Sequence, residues 1–186
     1  GCGVTTGTIE THFVPLAIDR CSSPWMAALI FGVMMGLNVF GGLGAGILSD
    51  KFKRKNILGT VYFMRGLAYV ALLIFPSTYG LWAFAITSGF SWVASVPLTS
   101  SLTADVYGLK ALGTISGITF FCHQVGSFVM ILLAGFLFDV TGSYNIPFAI
   151  AGAFLFPAAL SAFTIKETKY SARYSYRIKE TASMGY

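Results

Sequence analysis

The chain has 186 residues, 55% of them hydrophobic and 10% charged, whereas an ordinary soluble domain carries about 25% charged residues. The charges leave residues 21–49, 66–104, 111–138 and 140–165 empty, and each run exceeds the roughly 20 apolar residues that cross a bilayer as a helix. A soluble protein is excluded, because helices around a soluble core need a polar face toward water. The fold class is therefore all-α, a polytopic membrane protein. The net charge of +5 does not point to nucleic acid, since the basic residues border apolar runs and form no soluble module with interleaved aromatics.

Breaks between the apolar runs predict six spans. The first, 1–18, is interrupted by Pro15 and closed by Asp19 and Arg20. The second, 24–49, opens on Ser22, Ser23 and Pro24, a capping hydroxyl followed by proline in the first turn. The third, 56–75, follows the charged turn from Asp50 to Lys55, and the loop from Pro76 to Gly80 separates it from the fourth, 81–104. The fifth covers 113–138. The sixth, 146–165, follows a turn from Asp139 to Tyr144, and residues 167–186 form a basic tail. In the fourth span Pro97 removes an intrahelical hydrogen bond and either marks a flex point five residues after Trp92 or is a kink of the kind many membrane helices tolerate, and the same choice holds for Pro157 in the sixth.

Lysine and arginine orient these spans. Ten of the twelve fall in the turn at 50–55, at Lys110, at Lys166 and in the tail, Arg20 lies on the other side, and Arg65 is left inside a span. By the positive-inside rule the tail is cytoplasmic. There Lys166, Lys169, Arg173 and Arg177 recur at helical spacing, so the tail either lays a basic face on anionic lipid or stays solvated. Cys2, Cys21 and Cys122 are too few and too scattered for a metal site or a disulfide framework and read as packing residues. The start lacks an initiating Met and a positively charged leader, which reads as a fragment. Glycines 32, 36, 41, 42, 44 and 46 of the second span contain small-xxx-small pairs that predict close helix packing.

Four segments carry a family resemblance. The turn from Gly46 to Lys55 has an acid, Asp50, after a helix-end glycine and then the basic pair Arg54 and Lys55, with Lys53 at a position usually held by glycine. It resembles the loop motif of the major facilitator superfamily. Gly135 to Tyr144 followed by Phe148, Ser95 to Asp105, and Thr11 to Asp19 resemble that superfamily's last two helices, its tenth helix and the end of its seventh, in the branch of monocarboxylate and oxalate/formate transporters. That branch often has an acidic and basic pair on its eighth helix, and residues 24–49 carry no charge. The resemblance covers residues 1–166. It implies half of a twelve-helix transporter of small solutes, organic anions foremost, embedded in the cell membrane and partnered by an N-terminal six-helix half. It implies no cofactor. It also implies a latch in which Asp50 faces the positive end of the fifth helix at Gly113 and Thr114, and Arg54, beside Lys55, reaches Asp105, the alternative being that these charges simply face water at the headgroups.

Ionisable groups inside a bilayer are costly and usually functional. Glu10 and His12 lie on the first span, Arg65 on the third, and His123 with Gln124 on the fifth, the Arg65 and His123 positions being about 14 to 15 Å deep at 1.5 Å per residue. His123 suits a carboxylate or a coupled proton, or else a packing contact. Glu10 is the candidate proton carrier, or is permanently paired with His12 or Arg65. Arg65 either attracts an organic anion or bonds to carbonyls or a carboxylate. Asn38 offers an amide near mid-depth, and Trp92 there either offers an indole N–H or only packs in the core. Paired membrane aspartates, His-Glu-x-x-His and Gly-x-Ser-x-Gly are all missing, which argues against an intramembrane enzyme. A degenerate, non-transporting scaffold or receptor is the alternative.

Overall fold

Among the described residues the chain forms eight helices, and two pairs of them are single passes broken a few residues before a proline. A computed structural model describes residues 2–20, 23–110 and 112–167, and gives α1 (Cys2–Asp19), α2 (Pro24–Lys51), α3 (Arg54–Ile74), α4 (Thr78–Ser91), α5 (Ser95–Tyr107), α6 (Leu112–Thr141), α7 (Asn145–Ala153) and α8 (Leu155–Thr164). Cys21, Ser22 and the tail basic residues Lys169, Arg173, Arg177 and Lys179 lie outside the described residues. Five passes are long and apolar enough to cross a membrane: α2, α3, α4 with α5, α6, and α7 with α8. The shorter α1 contains Pro15 and the charged Glu10.

The helix ends follow local chemistry. Ser23 accepts a hydrogen bond from the Met26 N–H at 3.2 Å, and Pro24 occupies the first turn, where its missing N–H costs nothing. Gly108 and Gly142, with φ of 79° and 66°, end α5 and α6 in a backbone conformation that a side chain disfavours. Both broken passes have their break three residues or so before a proline. Pro97 has no N–H and crowds the carbonyl four residues earlier, so the helix stops at Ser91 and restarts at Ser95. Pro157 similarly separates α7 from α8 at Phe154. The spans expected at 81–104 and 146–165 are thus each two helices, and α6 runs beyond the expected 113–138 at its far end.

In the packing, α1 lies on α6, α2 on α4, and α3 against α4, α5, α7 and α8. The core centres on Phe13, Tyr69, Phe84 and Phe148, with Phe13 and Phe84 stacked at 5.4 Å and Tyr69 meeting Phe84 edge-on at 5.1 Å. The Tyr69 hydroxyl donates to the Thr5 carbonyl at 3.2 Å, which satisfies a polar group that would otherwise be stranded.

Glycine use differs from the sequence expectation. Of the α2 glycines only Gly41 meets another backbone, at Phe90 of α4, whereas Gly32, Gly36, Gly42, Gly44 and Gly46 face open space. Close approach also occurs on α1, where Gly3 and Gly7 lie against the backbones of His123 and Ser127, and Ser127 Oγ donates to the Gly3 carbonyl at 2.8 Å. A glycine spacing alone cannot say which face of the helix a neighbour takes.

Candidate functional site

Parallel packing of α1 on α6 opens a cavity of about 400 Å³ between α1, α3, α5 and α6. Ser95, Thr99, Ser100 and Thr103 of α5 face Ser116 and Thr119 of α6 across it. Such residues survive in a membrane helix because their hydroxyls bond to their own backbone: Thr99 donates to the Ser95 carbonyl at 2.7 Å, Thr103 to Thr99 at 2.8 Å and Thr119 to Ile115 at 2.8 Å. Each oxygen keeps lone pairs for a ligand. Tyr62 of α3 contributes to the wall, and so do Cys2 and Cys122, so Cys122 is an exposed cavity residue and not the packing residue expected.

His123 is the one expected site residue that lines this cavity. Its ring lies parallel to Phe120, with centroids 6.1 Å apart. It lies eleven residues after Leu112, and Arg65 lies eleven after Arg54, so both sit about 16 Å along their helices. Glu10 and Gln124 are exposed on α1 and α6 and do not line the cavity. His12 is buried, with Nε2 3.2 Å from the Ile131 carbonyl and its ring 5.4 Å from that of Tyr144. Its polar atom joins α1 to α6.

Asn38, Arg65 and Trp92 converge on the α4–α5 break. The broken helix frees backbone groups that lipid cannot satisfy. Asn38 Oδ1 accepts from the Val93 N–H at 3.0 Å, while its Nδ2 donates to the Met34 carbonyl. Arg65 Nη2 donates to the carbonyls of Ser91 and Trp92. Trp92 Nε1 donates to Thr6 Oγ1 at 3.1 Å, which ties the break to α1. Three helices therefore hold one interruption.

Charges staple the two ends. At one end Arg54 Nη1 pairs with Asp105 Oδ2 at 2.6 Å and donates to the Ser101 carbonyl, while Asp50 is exposed without an ion pair among the described residues. Glu167 is a residue that sequence reasoning missed. Its carboxylate accepts the Arg54 and Lys55 backbone N–H groups at 3.2 and 3.4 Å, and Lys55 Nζ donates to the Phe163 carbonyl at the end of α8. An anion thus sits at the N-terminus of α3 and a cation at the C-terminus of α8, each favoured by the helix dipole. The only available signal was an acid just after the last apolar run. Glu167→Ala is expected to lower stability by about 1 kcal/mol, the usual worth of such a cap, as read by thermal denaturation of the purified protein. At the other end Arg20 donates to the Leu72 carbonyl at 2.7 Å and to Asn145 Oδ1 at 2.8 Å. Burial lowers the Arg20 pKa from its usual value; burial, then the Asp19 and Asp139 carboxylates, raise that of Tyr144.

Residues 14–180 match the Major Facilitator Superfamily. The chain belongs to that superfamily. Among relatives it is 31% identical over 163 residues to the uncharacterized MFS-type transporter YcxA of Bacillus subtilis (strain 168), covering 83% of this chain and 39% of that protein. It is also 31% identical over 157 residues to monocarboxylate transporter 12 of Rattus norvegicus, covering 82% of this chain and 32% of the relative. The human monocarboxylate transporter 12 is 30% identical over 157 residues, covering 82% and 30%. The chain therefore spans between 30% and 39% of the length of these relatives. Superfamily membership and five long apolar passes make it a multi-pass membrane protein.

Proposed function

We propose that this chain forms the second half of a secondary transporter that carries small organic anions, carboxylates foremost, by alternating access with proton coupling or exchange. The hydroxyl-lined cavity with His123 on its wall, at a depth where transporters place their sites, carries the reading. The names of the monocarboxylate relatives support the substrate class, and their greater length supports an N-terminal six-helix half. Exposure of Glu10 and Gln124 on a membrane-depth surface supports the same partner, because lipid is a poor cover for a carboxyl and an amide.

In this reading His123 supplies a hydrogen bond or a proton to the substrate, Gln124 assists from the facing surface, and Glu10 loads and releases the coupled proton as access alternates. Asn38, Trp92 and His12 position helices, their polar atoms being already engaged. Arg54 and Asp105, with Lys55 beside them and Asp50 facing the α6 N-terminus at Gly113 and Thr114, latch one of the two states at the cytoplasmic face of the cell membrane.

The test is uptake of a labelled monocarboxylate into proteoliposomes containing the full-length polypeptide, with and without a pH gradient. His123→Ala is expected to reduce uptake about tenfold, the worth of one hydrogen bond to a charged group, and Glu10→Gln to flatten its pH dependence. Unchanged uptake and pH dependence in both variants would remove these residues from the site. Absence of uptake of every small solute by the unaltered protein would favour the scaffold or receptor reading.

A further inference from the structure

Behind the cavity wall lies a positive charge that no carboxylate balances among the described residues. Arg65 is fully buried on α3, one turn beyond the lining residue Tyr62, whose ring centre is 5.8 Å from the guanidinium carbon. Arg65 Nη2 also stands 3.5 Å from Ser95 Oγ, a second lining residue. Its Nε and Nη1 are buried with no hydrogen-bond partner.

Bonds to the Ser91 and Trp92 carbonyls explain where the guanidinium sits, but neutral oxygens leave its full charge in place. A buried charge is expensive unless an opposite charge accompanies it, and two unpaired nitrogens add to the cost. A neutral amide donor would tie the helix break without that expense. Among the described residues the cavity wall contains no acidic residue that would cancel the charge, and the hydroxyls and His123 offer polar contacts on the far side.

We infer that Arg65 sets the charge selectivity of this cavity, as the fixed cation that draws the anionic end of a small carboxylate to the wall formed by Tyr62 and Ser95. The inference rests on the transport reading above. It assigns α3 a positioning role in substrate choice, although only Tyr62 of that helix lines the cavity. Loss of the field would lower affinity for the anion and leave an uncharged molecule of the same shape unaffected.

The experiment uses the full-length polypeptide in proteoliposomes with a panel of monocarboxylates, each paired with its primary amide. Uptake of the best carboxylate is measured in competition with the unlabelled acid and the unlabelled amide. Two variants remove the charge in different ways: Arg65→Gln keeps a donor for the carbonyls, and Ser95→Asp keeps Arg65 but neutralises it in place. Ser95→Asp remains informative if Arg65→Gln does not fold. The preference for acid over amide is expected to fall about tenfold or more in each folded variant, as for loss of a close charge pair. A folded variant that retains the original preference overturns the inference while leaving transport intact. Failure of the unaltered protein to take up any member of the panel removes the carboxylate transport reading and this inference with it.

Discussion

Replacing Gly41 with leucine is expected to separate α2 from α4 and cost the protein its stable fold, whereas Gly32→Ala and Gly36→Ala are expected to leave folding intact. A Cβ at Gly41 would run into the carbonyl oxygen, carbonyl carbon and Cα of Phe90, and backbone atoms cannot rotate away as a side-chain tip does. Overpacking of that kind costs about 1–3 kcal/mol and sometimes more, and leucine adds three further carbons. A Cβ at Gly32 or Gly36 meets nothing within 4 Å. There the gain in helix propensity from glycine to alanine, about 1 kcal/mol, is unopposed. Thermal denaturation monitored by size-exclusion chromatography in detergent measures all three. In a longer polypeptide, a loss of stability at Gly32 or Gly36 would report a further helix lying on that face.

The second large effect is expected at the Arg54–Asp105 pair. With side chains 23% and 20% exposed, the 2.6 Å contact is screened less than a free surface pair, and Arg54 also binds the Ser101 carbonyl. Arg54→Ala and Asp105→Ala should each reduce uptake severalfold, and the double variant should be no worse than the poorer single one. Such a cycle corresponds to a coupling of about 1 kcal/mol or more between neighbours. The exchange of Arg54→Asp with Asp105→Arg should restore part of the activity. Independent, additive losses would mean that the two residues serve transport separately, and the latch would have no support.

The α2 glycines and Glu167 explain which features were legible in sequence. Hydropathy located the passes because lipid acts on every residue of a span in the same way, so a local count suffices. Pro97 marked a flex point for a similarly local reason, the missing N–H, but did not show that the span would stop at Ser91 and restart at Ser95. The partners that repair the break were not legible as a set. Asn38, Arg65 and Trp92 each stood out as a polar group in an apolar run, yet their shared task depends on α1, α2 and α3 meeting the break at one depth. Glu167 meets α3 across more than a hundred residues of chain, and nothing beside it in sequence predicts that contact.

By itself, the sequence determined that this is an all-α, multi-pass membrane protein with a basic end and a few ionisable groups at depth, since composition and charge placement are properties of the chain before it folds. Its motifs also pointed to the superfamily. Only the tertiary structure decided which polar groups act together: His123 lines a cavity, His12 joins two helices, Glu10 is exposed, and Arg65, without a carboxylate partner among the described residues, stands behind Tyr62 and Ser95. The physical reason is rotation about the helix axis. A shift of one residue turns a side chain by about 100°, and which face a neighbour covers is settled by long-range packing that the local pattern does not encode.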